Sequence, residues 1–225
     1  ASLGDIYIND AFSCSHRRQA SVHKITKYVK ICYAGPLFKK YIDAINLVIK
    51  NKKEPVTCII GGSKISTKIN VITNLIEKIN NLIIVGAMAN NFLVYKNLKV
   101  GKSLIENDTK EIIEKIYKKA TENNCEIMIP EDCVVSTSFE GKGKNKDLDK
   151  VEDNEIILDI GSITVSNIKK KIEQSNTVLW NGPAGYFENE NFAVGTRSIA
   201  KSISKNTLER SLVSVLGVGD TLAAT

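Results

Sequence analysis

The stretch T-V-L-W-N-G-P-A-G-Y-F-E (177–188) decides the fold, because a short apolar run stops at a glycine-rich turn and a carboxylate follows the turn. The same pattern returns in V-S-V-L-G-V-G-D-T-L-A-A (213–224). An earlier stretch, T-C-I-I-G-G-S-K-I-S-T-K (57–68), has lysines where the other two have carboxylates. Three strand-to-turn units of this kind predict one ligand held at the strand ends of a parallel sheet.

The turns have the chemistry of a phosphate site. Glycine lets backbone N–H groups approach phosphate oxygens, lysine neutralises them, and an Asp can hold an accompanying metal. Lys64 and Lys68 are four residues apart, so we predict that they share one helical face in the first turn after Gly61-Gly62. Two lysines are unfavourable at a helix N-terminus unless an anion binds there. The alternative is that both simply point to water.

The composition indicates a globular chain. Its 225 residues, 43% of them hydrophobic, can form an apolar core in one large domain or two small ones. The net charge is +6, and lysines are interleaved with acidic residues, which is typical of solvated helix faces. Five dispersed cysteines without a C-x-x-C pair predict free thiols in a reducing compartment. We expect no membrane span and no signal peptide.

Apolar periodicity predicts strands that alternate with helices. A helix at 36–51, which Pro55 follows, is interpreted as a connector between two domains. The predicted strands are 5–12, 56–60, 81–85, 126–129, 156–160, 177–180 and 212–216, and the other predicted helices are 64–79, 87–97, 108–123, 163–173 and 191–204. The polar segment 136–155 is predicted to be a surface excursion. This alternation predicts an α/β fold with a mainly parallel sheet between helices.

Each remaining candidate residue has a simpler interpretation beside the functional one. Asp220 stands where an Asp commonly caps a helix, and Glu188 could simply be exposed. Arg17 belongs to the basic cluster His16-Arg17-Arg18, which suits carboxylate or phosphate binding but is more often plain surface. Val218 lies between two glycines and narrows the room for a phosphate. The sequence has no Ser-His-Asp pattern and no zinc motif.

A series of specific motifs runs in order along essentially the whole chain. They are D-I-Y-I-N-D-A-F-S-C-S-H-R-R-Q-A-S (5–21), A-G-P-L (34–37), G-G-S-K-I-S-T-K (61–68), A-M-A-N-N-F-L (87–93), V-G-K-S-L (100–104), I-P-E-D-C-V-V (129–135), L-D-I-G (158–161), L-W-N-G-P-A-G-Y-F-E (179–188), G-T (195–196) and G-V-G-D-T-L-A-A (217–224). The W-N-G-P-x-G-x-F-E stretch alone is highly specific. On these motifs the chain resembles the phosphoglycerate kinase family.

The resemblance implies a Rossmann-like three-layer fold with a parallel sheet and helices on both faces, as one of two lobes of a hinge-bending kinase. It implies that 1–35 are the remnant of an N-terminal substrate-binding domain, that 36–54 form an interdomain helix, and that 55–225 form a C-terminal nucleotide-binding domain truncated at its end. The family's basic N-terminal patch is expected before Ala1 and its S-T-G-G-G-A motif after Thr225. We therefore expect the 225 residues alone to lack full activity.

The resemblance also implies a phosphotransferase with a carboxyl group as acceptor. Such an enzyme moves a phosphoryl group reversibly between 1,3-bisphosphoglycerate and ADP, giving 3-phosphoglycerate and ATP in glycolysis, with Mg²⁺. By motif, Lys64 is similar to the catalytic lysine and Arg17 to a substrate-binding arginine. The nucleotide-binding residues carried over in this way are Lys68, Glu188, Val218, Gly219, Asp220 and Thr221, with Asp220 as the metal ligand.

Two alternatives from other classes remain open. The first is a non-catalytic module of the same fold that binds Mg-nucleotide without turnover. The second is a weaker interpretation, in which surface charge binds nucleic acid. The kinase interpretation predicts small-molecule partners (ADP, ATP, 3-phosphoglycerate and 1,3-bisphosphoglycerate), no nucleic acid, no membrane, and a monomer in the cytoplasm. Val85, Ala87 and Val218 stand where the family pattern has glycine.

Overall fold

A computed structural model describes residues 1–15, 17–49, 52–217 and 221. The chain forms two compact units, Ala1–Asn51 and Lys52–Thr225. The sequence-based division into segments 1–35, 36–54 and 55–225 remains a prediction. Within the described residues, the structure contains no helix with the length and apolar character that a membrane crossing requires. All five cysteines are free thiols, as the sequence predicts.

The first unit pairs two short strands with one helix. Strands β1 (Ile6–Asn9) and β2 (Ile31–Ala34) are parallel, and helix α1 (Pro36–Ile49) follows β2 directly. Short 3-10 turns cover Phe12–Cys14 and Lys24–Lys27. The carboxylate of Asp10 accepts a hydrogen bond of 2.8 Å from the backbone N–H of Phe38, in the first turn of α1. An Asp placed at the end of a strand thus satisfies a helix N–H that has no partner within the helix.

The second unit is built on a five-stranded parallel sheet with the order β10-β9-β3-β4-β5. Its strands are β3 (Val56–Ile60), β4 (Asn81–Ile84), β5 (Glu126–Met128), β9 (Thr177–Asn181) and β10 (Val213–Leu216). The central strand β3 is buried at every position, which explains why its sequence V-T-C-I-I is almost continuously apolar. Because all five strands are parallel, their carboxyl ends meet at one edge.

Helices cover both faces of this sheet, and each face has its own apolar core. Cys58 and Ile60 point to one face, where they pack with residues of α2 (Ile69–Ile76), α3 (Ala89–Tyr95) and α4 (Lys110–Glu122). Ile59 and Trp180 belong to the opposite core, with residues of α5 (Ser162–Glu173) and α6 (Val194–Arg210). The alternation of side chains along a strand produces this division. The predicted α/β fold with three layers is confirmed.

A separate antiparallel sheet, with the order β7-β6-β8, corrects two predictions. Strand β8 (Ile156–Ile160) was expected in the parallel sheet, but it pairs with β6 (Asp132–Ser136), which was not predicted. The segment 136–155 is not merely a surface excursion, since it contains β7 (Lys144–Asp147) and two buried apolar residues, Leu148 and Val151. Its polar composition is that of an exposed edge strand, so it resembles a loop in sequence.

The helix predicted over 64–79 also needs correction, because α2 begins only at Ile69. Ile65 continues the apolar period of the helix and is fully buried, yet its backbone lies in a bend before the helix. The buried side chain of Ile65 therefore makes the apolar pattern in the sequence longer than the helix in the structure. At the other end of the unit, α6 runs to Arg210, six residues beyond the predicted end at 204.

Candidate functional site

Backbone hydrogen bonds join three turns at the edge of the parallel sheet where the carboxyl ends of the strands lie. The N–H of Gly61, after β3, donates to the carbonyl of Asn181, at the end of β9, over 2.8 Å. The N–H of Gly86, after β4, donates to the carbonyl of Ala184 over 3.1 Å. The N–H of Met88 reaches back to the carbonyl of Gly62 over 2.9 Å. These bonds fasten the turns that follow β3, β4 and β9 into one platform.

Glycine is required at several points of this platform. Gly86 and Gly182 have φ values of +70° and +98°, which L side chains rarely adopt. A Cβ atom on Gly86 would also lie 2.8 Å from the backbone nitrogen of Gly62. The glycines that follow each apolar run are therefore needed mainly because they let one turn approach another closely.

Lys68 lies at the junction of two of these turns. Its Nζ atom donates to the carbonyl of Gly61 over 2.7 Å and to Oδ1 of Asn181 over 2.9 Å. The residue stands immediately before the first residue of α2. One ammonium group is thus fixed where the turns after β3 and β9 meet.

Lys64 occupies a different environment from the one that its spacing predicts. It lies in an exposed segment without regular structure, five residues before Ile69, so the prediction that Lys64 and Lys68 share one helical face in a first helical turn is wrong. Apolar periodicity misplaced the helix start, because Ile65 is buried from a non-helical segment. Against the effect of burial, hydrogen bonds from Ser66 and Ile65 and then the charge of Lys64 lower the pKa of the nearby carboxyl of Glu106.

The structure brings one residue of the last predicted turn to the same place. Oγ1 of Thr221 accepts a hydrogen bond of 2.7 Å from the N–H of Gly182. Three other predicted residues, Val218, Gly219 and Asp220, lie outside the described residues.

Arg17, the predicted substrate-binding residue, belongs to the first unit. Its side chain is exposed, and its backbone N–H donates to the carbonyl of Cys14 over 2.9 Å. An exposed guanidinium can bind carboxylate or phosphate groups with two parallel hydrogen bonds. The assignment of Arg17 to substrate binding stays a prediction.

A cavity of about 470 Å³ opens beside the platform. Glu188 lines it, together with an aromatic pair, Phe139 and Tyr186, whose ring centroids lie 5.2 Å apart in an edge-to-face arrangement. Its apolar lining residues include Leu93, Leu104, Ile157, Ile160, Pro183 and Ala184. An apolar cavity with few polar groups, next to a cationic turn, suits a ligand with a flat apolar end and an anionic tail.

Sequence reasoning missed several residues of this cavity. Phe139 lies in the segment that was interpreted as a surface excursion. Asn90 and Lys102 lie in recognised motifs but were given no role at the site. The aromatic residue was the one detectable signal, because a phenylalanine is unusual in so polar a segment.

Asp159 is a buried carboxylate at the wall of the cavity. It is 2% exposed, and its two oxygens accept hydrogen bonds from the N–H groups of Ile160 (2.8 Å) and Gly195 (2.7 Å). Burial raises the pKa of Asp159 to about 7, although both hydrogen bonds act in the opposite direction. Because Gly195 belongs to the first turn of α6, the carboxylate ties that helix to the end of β8.

Replacement of Asp159 by Asn should flatten the pH dependence of stability. A folded-state pKa of about 7, above the usual 3.8, gives stabilisation that is complete below pH 3.8 and is lost as the pH rises through about 7. Over this window the free energy of unfolding of the wild type should fall, relative to Asp159→Asn, by at most about 1.4 kcal/mol per pH unit. Urea denaturation at several pH values between about 4 and 8 measures this slope.

Asp132 offers a matched control, because it is fully buried at the neighbouring strand β6. Burial acts to raise its pKa, but hydrogen bonds from the N–H groups of Thr164 and Ile163 and from the hydroxyl of Thr164 outweigh burial and lower the pKa. A lowered pKa gives stabilisation that is lost only as the pH falls below 3.8. Asp132→Asn should therefore change stability by a constant amount above about pH 5. Equal slopes for wild type and Asp159→Asn would contradict the titration of Asp159.

The charges of the platform suit an anion rather than a bare metal ion. Lys64 and Lys68 are cationic, and the turns present backbone N–H groups. Among the residues that the structure describes, no group of three or more His, Cys, Asp or Glu side chains is arranged to hold a metal. The predicted metal ligand, Asp220, lies outside this set.

The chain is similar to known proteins of one family. The family model described as phosphoglycerate kinase matches residues 1–225. A phosphoglycerate kinase from Wolbachia sp. subsp. Drosophila simulans (strain wRi) is 43% identical over all of this chain and 56% of the relative. A solved phosphoglycerate kinase from Coxiella burnetii is 39% identical with a TM-score of 0.88, over 98% of this chain and 56% of that one.

A second solved structure, the phosphoglycerate kinase from Pyrococcus horikoshii OT3, is 26% identical with a TM-score of 0.80, over 99% of this chain and 56% of that one. The chain therefore spans about half the length of the curated relatives that it matches. Since the family model matches every residue from 1 to 225, the chain belongs to the phosphoglycerate kinase family.

Proposed function

We propose that the protein containing this chain is a phosphoglycerate kinase, which transfers a phosphoryl group reversibly between 1,3-bisphosphoglycerate and ADP, giving 3-phosphoglycerate and ATP in glycolysis. The observation that carries the proposal is the position of Lys68, whose ammonium group is held by Gly61 and Asn181 at the junction of two turns. The neighbouring cavity and the family membership of the chain support the same activity.

In this proposal the cavity holds the base and ribose of the nucleotide. Its apolar walls and the edge-to-face pair Phe139 and Tyr186 suit a flat aromatic base. Glu188 has carboxylate oxygens that accept hydrogen bonds from ribose hydroxyls. The phosphate tail then extends toward Lys68 and the glycine turns, where ammonium and N–H groups neutralise its oxygens.

Phosphoryl transfer needs in-line placement and neutralisation of the charge on the equatorial oxygens, with little covalent help from the protein. Lys64 is assigned the stabilisation of the transferring group, because it is exposed on the same loop as Lys68. Mg²⁺ would neutralise further phosphate charge, and Asp220 is the residue proposed to hold it. Arg17 is assigned to the glycerate substrate, whose phosphate and carboxylate a guanidinium binds well.

The family match over the whole chain does not favour a non-catalytic module. We infer that the partners are the four small molecules of the reaction and that the protein is a monomer in the cytoplasm. Nucleic acid and membranes are not proposed as partners. Size-exclusion chromatography with light scattering on the complete gene product tests the oligomeric state.

Replacement of Lys64 by Ala in the complete gene product tests the proposed function. The variant removes one positive charge from the transferring phosphoryl group, so kcat in a coupled kinase assay should fall roughly a hundredfold or more. The dissociation constant for ADP should change less, because Lys68 and the cavity remain in place.

Lys118→Ala is the matched control, since Lys118 is an exposed lysine of α4 on the same unit. This variant should keep the wild-type kcat. If Lys64→Ala retained most of its activity, the catalytic role of Lys64 would be wrong. Absence of kinase activity in the wild-type gene product, with ADP binding intact, would instead favour the non-catalytic module.

A further inference from the structure

Glu106 holds the loop that carries Lys64 through its carboxylate. Its Oε1 accepts a hydrogen bond of 2.5 Å from the hydroxyl of Ser66, and its Oε2 accepts one of 3.1 Å from the backbone N–H of Ser66. Ser66 is two residues from Lys64 and forty residues from Glu106. The contact therefore joins two distant segments of the chain at the Lys64 loop.

Glu106 is itself fixed by the start of α3. Its backbone N–H donates to Oδ1 of Asn91 over 2.8 Å, and the side-chain amide of Asn90 donates to the carbonyl of Leu104 over 3.0 Å. Both asparagines are only 2% exposed. Since Asn90 and Leu104 also line the cavity, the segment that bears Glu106 is continuous with the cavity wall.

The ionised form of Glu106 is the form that these contacts favour. Partial burial acts to raise its pKa, but hydrogen bonds from the hydroxyl and N–H of Ser66 and from the N–H of Ile65, together with the charge of Lys64, lower it. The carboxylate is therefore charged near neutral pH. A charged acceptor makes stronger hydrogen bonds to the loop than a neutral one.

A non-helical loop, such as the one that carries Lys64, depends on contacts from other segments to fix its backbone more than a helix does. Residues 63–68 precede α2 and form bends and turns, so their backbone is less constrained than that of a helical segment. Ile65 anchors the loop from inside, since it is fully buried, while Glu106 anchors it from outside through Ser66. Together they restrict where the ammonium group of Lys64 can lie.

We propose that Glu106 is a positioning residue for phosphoryl transfer, which fixes the Lys64 loop to the wall of the nucleotide cavity. Contacts run from Asn91 to Glu106, from Glu106 to Ser66, and along the chain to Lys64. The inference rests on the proposed kinase function and adds the link between the cavity and the catalytic lysine. It predicts that loss of the Glu106 carboxylate impairs turnover while nucleotide binding persists.

The test compares Glu106→Ala and Glu106→Gln in the complete gene product by steady-state kinetics and by ADP titration. Glu106→Ala removes both bonds to Ser66, so kcat should fall roughly 10- to 100-fold, as expected for a displaced catalytic group. Glu106→Gln keeps one acceptor oxygen of the same reach, so it should recover part of that loss. The dissociation constant for ADP should stay within about threefold in both variants, since Lys68 and the cavity are intact.

Two further variants make the result decisive. Glu77→Gln is the matched control, because Glu77 is a paired carboxylate that follows the other end of α2 and contacts Lys119. It should leave kcat unchanged. The double variant Lys64→Ala/Glu106→Ala should be no slower than Lys64→Ala alone, because a residue that acts through Lys64 has nothing left to position.

The outcomes separate this inference from the proposed function. If Lys64→Ala is impaired while Glu106→Ala turns over normally, the positioning role is wrong and the kinase assignment stands. Multiplicative losses in the double variant, or an ADP affinity that falls as much as kcat, would also overturn the role of Glu106. If the wild-type gene product shows no kinase activity, the proposed function itself fails.

Discussion

Replacement of Gly61 by Ala in the complete gene product should remove most of the proposed kinase activity and also destabilise the second unit. A Cβ atom at this position would overlap the carbonyl oxygen of Pro183 and would lie 2.7 Å from the carbonyl oxygen of Gly182. These atoms belong to the backbone, so a side-chain rotation cannot relieve the overlap. The turns after β3 and β9 must move apart.

Their separation would disrupt the part of the site that we propose binds phosphate. The N–H of Gly61 bonds to Asn181, and the carbonyl of Gly61 and the side chain of Asn181 together hold the ammonium group of Lys68. Displacement of about 1 Å lowers the rate roughly a hundredfold in well-oriented sites. Overpacking should cost a further ~1–3 kcal/mol of stability. A coupled kinase assay and urea denaturation measure the two effects.

Gly4→Ala provides the control, because the same methyl group would there lie 3.9 Å from its nearest neighbour, the carbonyl oxygen of Ile6. It should leave both stability and kcat/KM unchanged. Wild-type ADP affinity in Gly61→Ala would show that the site tolerates separated turns, and the platform would then not be the phosphate-binding element.

The ends of the parallel strands could be predicted from sequence because local chemistry determines them. An apolar run that stops at Gly61-Gly62 or at Gly182 signals a buried strand and a turn without reference to the rest of the chain. The family motifs then assigned Lys68 and Glu188, and the structure places Lys68 at the turns and Glu188 at the cavity.

The contacts that complete the site could not be predicted, because they join segments far apart in sequence. Glu106 meets Ser66 because α3 anchors the 104–106 segment, and although Ser66 lies in a recognised motif, no local pattern pairs it with Glu106. Asp159 lay within a recognised motif, but its burial depends on α6 packing over the end of β8. Periodicity likewise extended α2 back to residue 64, because burial of Ile65 does not require a helix.

Replacement of Trp180 by Ala should produce the largest loss of stability among the variants considered. Trp180 is fully buried between the parallel sheet and the helices α5 and α6. Truncation of a buried tryptophan costs about 3–5 kcal/mol. For a unit of this size the melting temperature should fall by roughly 6–20 °C. Thermal unfolding monitored by circular dichroism measures the change. This signal is used because the variant lacks the tryptophan whose fluorescence would otherwise report unfolding.

Trp180 also has a role at the site, which a second variant separates from packing. Its Nε1–H donates to the carbonyl of Gly182 over 2.8 Å, and the N–H of Gly182 donates to Thr221. Trp180→Phe keeps most of the apolar contact but removes the donor, so stability should fall by only about 1–3 kcal/mol. We expect its ADP affinity to fall as well, because Gly182 loses one of these two hydrogen bonds.

Ile116→Ala controls for stability alone, since Ile116 is fully buried in the core on the opposite face of the sheet. It should cost about 2–5 kcal/mol and leave ADP affinity unchanged. If Trp180→Phe and Ile116→Ala both bind ADP normally, the indole serves packing only. If Trp180→Phe alone weakens ADP binding, then the core and the platform share this side chain, and the tryptophan of the W-N-G-P motif is needed for the turn as well as for the fold.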